Sequence, residues 1–356
     1  MGANLSYVPS RMSTARVTKR PVGRPATLAD VAAETGVHAA TVSRALTRPE
    51  VVSADTLQRI RVAVEALGYV PNRAARRLAG GATSTIAVLV PDIANPFFSI
   101  IVQAAQRHAS SDGSLVLLAD TALDSTTELD ALVHLARDVD GLILCSPSAP
   151  TAALVRAAAG RPLVLVNRRA SGIPSVAADQ QAIVHLALDH LLALGHDRIA
   201  IVAGLPGYWA TAQRNRAADL ASTQRRHAFI RIGPTEPTFG AGSAVLGQLR
   251  AEGATAVLAF NDIQALGIMA AAAAEGLSVP GDLSVMGIDG LPASVMAVPG
   301  LTTVAVDLEA LGQGGVDLLR AQIAGQTPRN LVIDPTLLVR SSSAGPGPVA
   351  SSQEAT

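Results

Sequence analysis

The sequence predicts a small all-α head followed by an α/β body of two doubly wound lobes with parallel sheets. Three observations predict it. Charge divides the chain: residues 1–80 hold 12 basic and 5 acidic side chains, or +7, leaving 28 − 12 = 16 basic and 28 − 5 = 23 acidic, or −7, for the rest. Short helical periodicities fill residues 27–67, and from Ile86 onward near-continuous apolar runs alternate with helical stretches. A basic piece on an acidic body implies a polyanion partner for that piece alone.

The head begins after a Ser/Thr/Pro-rich stretch that reads as a disordered basic arm over residues 1–25. Thr27 with Asp30 three positions later forms a helix start, because the hydroxyl and the carboxylate can satisfy each other's free backbone N–H. Leu28, Val31 and Ala32 share one face of a helix that stops at Gly36, where glycine permits a positive φ. A second helix over about Ala39–Leu46 turns Val42, Ala45 and Leu46 inward, and a third from about Ser53 repeats Leu57, Ile60, Val64 and Leu67 before Gly68. Ala32, Gly36 and Val42 carry the spacing of a helix-turn-helix: a small residue at the close approach, a glycine in the turn and a β-branched core residue on the second helix.

In the body, Ile86–Val90, Leu115–Leu118, Gly141–Leu144, Leu163–Val166, Ile199–Val202, Ala256–Ala259, Leu283–Met286 and Thr303–Val306 read as parallel strands buried on both faces. Ligands of such sheets bind beyond the carboxyl ends of strands. Polar residues interrupt the apolar runs there, at Asp92–Phe98, Asn167, Asn261–Asp262 and Asp289.

Other classes are excluded by what the sequence lacks. Cys145 is the single cysteine, so neither an internal disulfide framework nor a cysteine-based zinc site is available. The His residues are scattered without metal-ligand spacing, no cofactor is called for, and GxGxxG, P-loop, HExxH and GxSxG motifs are missing, so no catalytic residue is assigned. No run of about 18 apolar residues predicts a membrane span, the N-terminus has no signal-peptide core, and a cytoplasmic location fits. The two rival classes are a periplasmic-type sugar-binding protein, which would carry a signal peptide and no basic head, and a sugar-metabolising enzyme, which would carry a phosphate-cradling glycine loop.

The string from Thr27 to Leu46 closely resembles the DNA-binding head of the lac repressor (LacI/GalR) family of bacterial transcription regulators. Val52-Ser53 and Gly68–Gly80 match as well, and the resemblance runs through nearly all of residues 27–341. It implies a helix-turn-helix domain over 26–71, a hinge helix over 72–81, a two-lobed effector-binding and dimerisation domain over 82–341 that is periplasmic-binding-protein-like, and a disordered tail over 342–356. The DNA-contacting set it implies is Thr27, His38, Ala39, Ala40, Thr41, Ser43 and Arg44 on the head, with Asn72, Arg73 and the minor-groove wedge Leu78 in the hinge. The guanidinium of Arg44 suits guanine, hydroxyls suit phosphates and Ala methyls can meet thymine. The effector-binding set is Phe98, Asn167, Arg216, Asn261 and Asp289.

This chain departs from the family pattern at Ala217-Ala218-Asp219, which leaves Arg214 as the alternative to Arg216, and at Ile263 and Gly290, where polar groups are frequent. The resemblance therefore implies a repressor that binds palindromic double-stranded operator DNA as a homodimer, away from any membrane, under control of a small-molecule effector such as a sugar or related metabolite. The tail lacks the leucine heptads of a tetramer-forming helix.

Overall fold

The computed structural model describes residues 24, 26–69 and 84–347, in two compact units that divide between Gly81 and Ala82. The hinge residues Asn72, Arg73 and Leu78 expected to contact DNA, the arm 1–25 apart from Arg24, and the last nine residues of the chain lie outside the described residues.

The head is three helices around one small core. Helix α1 (Leu28–Thr35) starts on a reciprocal cap: the Asp30 amide donates to Thr27 Oγ1 and the Thr27 amide donates to Asp30 Oδ2 at 2.7 Å. It ends at Gly36 with φ 66°. Helix α2 (Ala39–Thr47) follows, then a single 3-10 turn at Pro49–Val51 and α3 (Ala54–Leu67), which stops at Gly68 with φ 60°. Val31, Val42, Ala45, Ile60, Ala63 and Tyr69 are buried together. Burial of each large aliphatic side chain among them contributes about 1.5–3 kcal/mol, which short helices need because they are marginal alone.

The body contains two six-stranded sheets. In the first lobe β1 (Thr85–Val90), β2 (Leu115–Asp120), β3 (Gly141–Cys145), β4 (Leu163–Val166), β5 (Ser175–Ala178) and β11 (Leu331–Ile333) are ordered β11-β5-β4-β3-β1-β2 and all parallel. In the second lobe β6 (Ile199–Val202), β7 (Ile230–Ile232), β8 (Ala256–Leu258), β9 (Ser284–Asp289), β10 (Thr302–Ala305) and β12 (Thr336–Leu338) are ordered β12-β10-β9-β8-β6-β7. Only β12 runs antiparallel to its neighbour, β10. Among the helices, α4 (Pro96–Ser110), α5 (Ser125–Leu135), α6 (Thr151–Ala157) and α13 (Leu308–Ile323) belong to the first lobe. Helices α7 (Gln180–Ala193), α8 (Trp209–Arg225), α9 (Phe239–Ala244), α10 (Leu246–Ala251), α11 (Asp262–Ala274) and α12 (Pro292–Met296) belong to the second. The chain therefore passes between lobes at Asp179, at Val306-Asp307 and at Asp334-Pro335. The first and third passages are tied together, since the Asp179 amide donates to the Ile333 carbonyl at 3.1 Å.

Three features differ from the sequence reading. The tail is not disordered from 342: Ser342 is fully buried, its amide donates to Gly300 O at 3.0 Å and its hydroxyl to Val285 O at 2.6 Å. Short polar-capped segments pair readily when a buried edge offers free carbonyls. Strand β2 is apolar yet exposed, with Leu115 at 47% and Leu118 at 45%, because it is an edge strand bonded only to β1. The sequence reading does not mark β5, β7, β11 and β12: β7, β11 and β12 are three-residue strands that are only partly buried, and β5 is a short run of Ser, Val and Ala, so none stands out as an apolar run.

Candidate functional site

The carboxyl ends of strands from both lobes face one cleft. The loop after β1 and the start of α4 bring Pro91, Asn95, Phe97 and Phe98; the ends of β3 and β4 bring Ser146 and Asn167; α8 and the loop before it bring Tyr208, Trp209, Thr211 and Arg214; β8 and β9 bring Phe260, Asn261 and Asp289. Three of these residues hold a backbone that non-glycine residues rarely adopt: Ser146 (φ 45°), Asn167 (φ 55°) and Asp289 (φ 123°). Strain of this kind persists where surrounding structure over-determines it, and it clusters at ligand sites. Each of the three terminates a parallel strand, so the kink turns a polar side chain out of the sheet and into the cleft mouth.

A chain of hydrogen bonds crosses from one lobe to the other. Asn167 Nδ2 donates to Ser146 Oγ at 2.9 Å, Gln180 Nε2 donates to Asn167 Oδ1 at 3.4 Å, and Arg214 Nε donates to Gln180 Oε1 at 2.7 Å. Arg214 Nη1 also donates to the Phe260 carbonyl. Burial lowers the Arg214 pKa to about 10, and the charge of Asp289 opposes that shift. Asp289 moves the other way: burial first, then the charge of Asp262, hold its carboxyl well above the usual range, with Arg214 opposing. A buried cation beside a reluctantly ionised carboxyl gives the cleft both donors and acceptors for a neutral polar ligand.

The apolar part of the lining is aromatic. The sequence has 5 Phe, 3 Tyr and 1 Trp, and more than half of them line this cleft: Phe97, Phe98, Tyr208, Trp209 and Phe260. Phe97 and Phe98 meet edge to face at 5.0 Å. Flat side chains on several walls with few polar groups between them fit a ring-bearing small molecule.

Of the effector residues expected from the sequence, Phe98, Asn167, Asn261 and Asp289 line the cleft. Arg216 does not. It lies exposed on α8, while Arg214 faces inward. Two residues along a helix rotate by about 200°, so both cannot face one site, and Arg214 replaces Arg216 as the candidate. Asn261 also has structural work, since it caps α11 by accepting from the Gln264 amide at 2.8 Å and donates to Pro237 O at 3.1 Å. Asp262 is fully buried and faces away, accepting from Leu291 N (2.7 Å), Ser294 Oγ (2.6 Å) and Thr303 Oγ1 (2.6 Å). Gly290 has φ 77° and a Cβ there would meet that of Ala305 at 2.5 Å, which explains why no second acid stands beside Asp289. Ile263 packs against the core. Sequence reasoning missed Ser146, Gln180 and Phe260; the signal available was that Ser146 follows β3 as Asn167 follows β4.

On the head, α2 buries Val42 and Ala45 and exposes His38, Ala40, Ser43 and Arg44, with Ala39 and Thr41 partly covered. His38 caps the helix by accepting from the Ala40 amide at Nδ1, 3.2 Å, and Arg44 Nε donates to Ala40 O at 3.2 Å. Thr27 is occupied with Asp30. Among the described residues no cluster of His, Cys, Asp and Glu could hold a metal ion, and no helix is long and apolar enough to cross a membrane.

Comparison with known proteins matches residues 27–72 to the bacterial regulatory proteins of the lacI family and residues 188–343 to the periplasmic binding protein-like domain. The chain is 33% identical over 319 residues to the HTH-type transcriptional repressor CytR of Escherichia coli K12, covering 85% of this chain and 91% of that one. It is 33% identical over 341 residues to the HTH-type transcriptional regulator MalR of Streptomyces coelicolor, covering 89% and 96%. The lac repressor dimer bound to operator and an anti-inducer is similar in structure, with TM-score 0.81 and 31% identity over 90% of this chain and all of that one. With a head and a body that both match along most of its length, the chain belongs to the lacI family of bacterial regulatory proteins.

Proposed function

We infer that the protein is a sequence-specific transcriptional repressor that binds a palindromic operator as a homodimer in the cytoplasm and releases or tightens it according to a small effector in the cleft. The observation that carries this reading is the pairing, in one chain, of an exposed His38–Arg44 helix face on a basic head with an enclosed aromatic and polar cleft in an acidic body. Similar proteins support it: the lac repressor has been seen as a dimer on operator, and a related regulator, CelR, in complex with cellobiose. The cleft chemistry fits a sugar, polyol or nucleoside-like molecule, whose ring would lie against Phe98 or Trp209 and whose hydroxyls would meet Asn167, Arg214 and Asp289.

The coupling follows from the fold. A ligand touching Asn167 and Asp289 contacts both lobes, so it favours the lobe arrangement in which those contacts coexist, and the bias is reciprocal with DNA binding. In the hinge, Leu78 would wedge into the minor groove, with Asn72 and Arg73 on the backbone. Fluorescence anisotropy with genomic duplexes tests the reading: wild-type protein should bind a palindromic site with a steep inverse salt dependence. Asp289→Ala should keep that binding and lose the response to a metabolite to which wild type responds. A monomer bound to a half-site, or binding insensitive to sequence, would overturn it.

A further inference from the structure

Glu128 on α5 is 4% exposed, and its two carboxylate oxygens have unlike surroundings. Oε2 accepts from the Ser148 amide at 3.0 Å, the Ser148 hydroxyl at 3.3 Å and the Ala149 amide at 3.2 Å, which ties α5 to the loop after β3. Oε1 is equally buried and has no partner among the described residues. The nearby guanidinium of Arg168 is committed elsewhere, to the carbonyls of Pro147 and Ala149 and the hydroxyl of Thr151. Glu128 lines a water-sized side cavity with Thr121, Ser146, Ser148 and Tyr208. Pro91, Ser146 and Tyr208 line the main cleft too, so the two spaces adjoin.

A buried carboxylate oxygen without a donor is rare in folded proteins and calls for an occupant. We propose that the side cavity is a specificity arm of the effector cleft, in which a hydroxyl or ammonium group carried by the effector's ring donates its hydrogen to Glu128 Oε1. The proposal rests on the reading of the cleft as an effector site. An analogue lacking that donor would bury the oxygen unpaired, so the arm discriminates against it strongly. Burial holds the Glu128 pKa above its usual range, which makes a donor at Oε1 the more consequential. Tyr208 comes from the second lobe and lines the same cavity as Glu128 and Ser148, so the arm is completed only when both lobes contribute.

Glu128→Gln tests this with little change of shape. Its amide oxygen must take over the two backbone N–H bonds of Oε2, which places NH2 where Oε1 was and turns an acceptor into a donor. The probes are aldopyranoses and nucleosides, each with its singly deoxy and singly amino counterparts, titrated into the full-length protein by calorimetry, with thermal melting to verify folding. Wild type should prefer a donor-bearing member over its deoxy partner at one ring position by about tenfold or more, and Glu128→Gln should shrink that preference to about threefold or less. The tightest member distinguishes the sources: an amino compound for ammonium, its parent for hydroxyl. An unchanged ranking in Glu128→Gln, or no donor preference in wild type, would assign the cavity to structural water and overturn the proposal. Operator binding by the unliganded wild type, measured alongside, reports separately on the repressor reading.

Discussion

The guanidinium carbon of Arg214 lies 4.6 Å from the centroid of the Phe260 ring, and the same guanidinium donates to the Phe260 carbonyl. Ring face and backbone oxygen together hold one cation at the carboxyl end of β8, beside Asp289 and in line with Gln180. Through Gln180, Arg214 joins the chain of hydrogen bonds that reaches Asn167 of the first lobe.

Arg214→Met should therefore destabilise the body by about 1–3 kcal/mol, because Gln180 Oε1 and the Phe260 carbonyl lose their donor and the Asp289 carboxyl loses a charge that favours its ionised form. Adding Asp289→Asn should recover part of that loss, a coupling that a double-mutant cycle in urea measures. Arg216→Met, on the exposed face, should stay within about 0.5 kcal/mol of wild type. Equal costs at 214 and 216 would contradict the assignment of the inward side chain.

The pH dependence should carry a histidine component of known sign. His196 is 1% exposed, with Nδ1 bonded to Thr255 Oγ1 and Nε2 to Ala344 O. Burial lowers its pKa below 6.5, opposed by the Ala344 bond, and His190 is lowered by burial and then by the charge of His196. Below pH 6.5 the unfolded chain protonates first and binds more protons, so this contribution is complete above 6.5 and is lost as pH falls through the depressed folded values. Asp262 and Asp289 act oppositely: their raised pKa values make stability fall as pH rises above the ordinary carboxyl value of 3.8. The gap in unfolding free energy between wild type and His196→Gln should thus be wider at about pH 7.5 than at about pH 5.5; a constant gap refutes it.

Ser342→Ala should cost about 1–3 kcal/mol, since the Thr302 amide, which donates to Ser342 Oγ at 2.8 Å, would be left buried without an acceptor. Chain shortened after Gly347 should melt as wild type does, while chain shortened after Arg340 should melt lower, as read by circular dichroism. Identical melting of the two would show that the 341–347 segment contributes nothing.

Arg44→Ala should reduce discrimination at one operator base pair by about 1–3 kcal/mol. Anisotropy with the operator, single-base variants and random duplex distinguishes this from a phosphate contact, which would weaken all of them alike.

Much of the architecture was legible because it is encoded locally. The Thr27–Asp30 cap, the Gly36 turn and the inward spacing of Val31, Val42 and Ile60 follow from helical geometry within a few residues, and each appears in the head. Apolar runs marked eight of the strands for the same reason. Burial was less legible: Leu115, Leu117 and Leu118 read like the interior strand Leu163–Val166, yet they stand exposed at a sheet edge. An apolar run reports composition, and coverage depends on which neighbour the strand acquires.

By itself the sequence determined the division into a basic helical head and an acidic α/β body, the strand ends where ligands gather, and the family to which both parts belong. Only the tertiary structure decided that Arg214 and not Arg216 enters the cleft, that Gln180 links Asn167 to Arg214, and that Ser342 seals the second sheet. Those contacts join residues between 13 and 57 positions apart. Strand order and the three passages between lobes bring them together, and no local periodicity records that order.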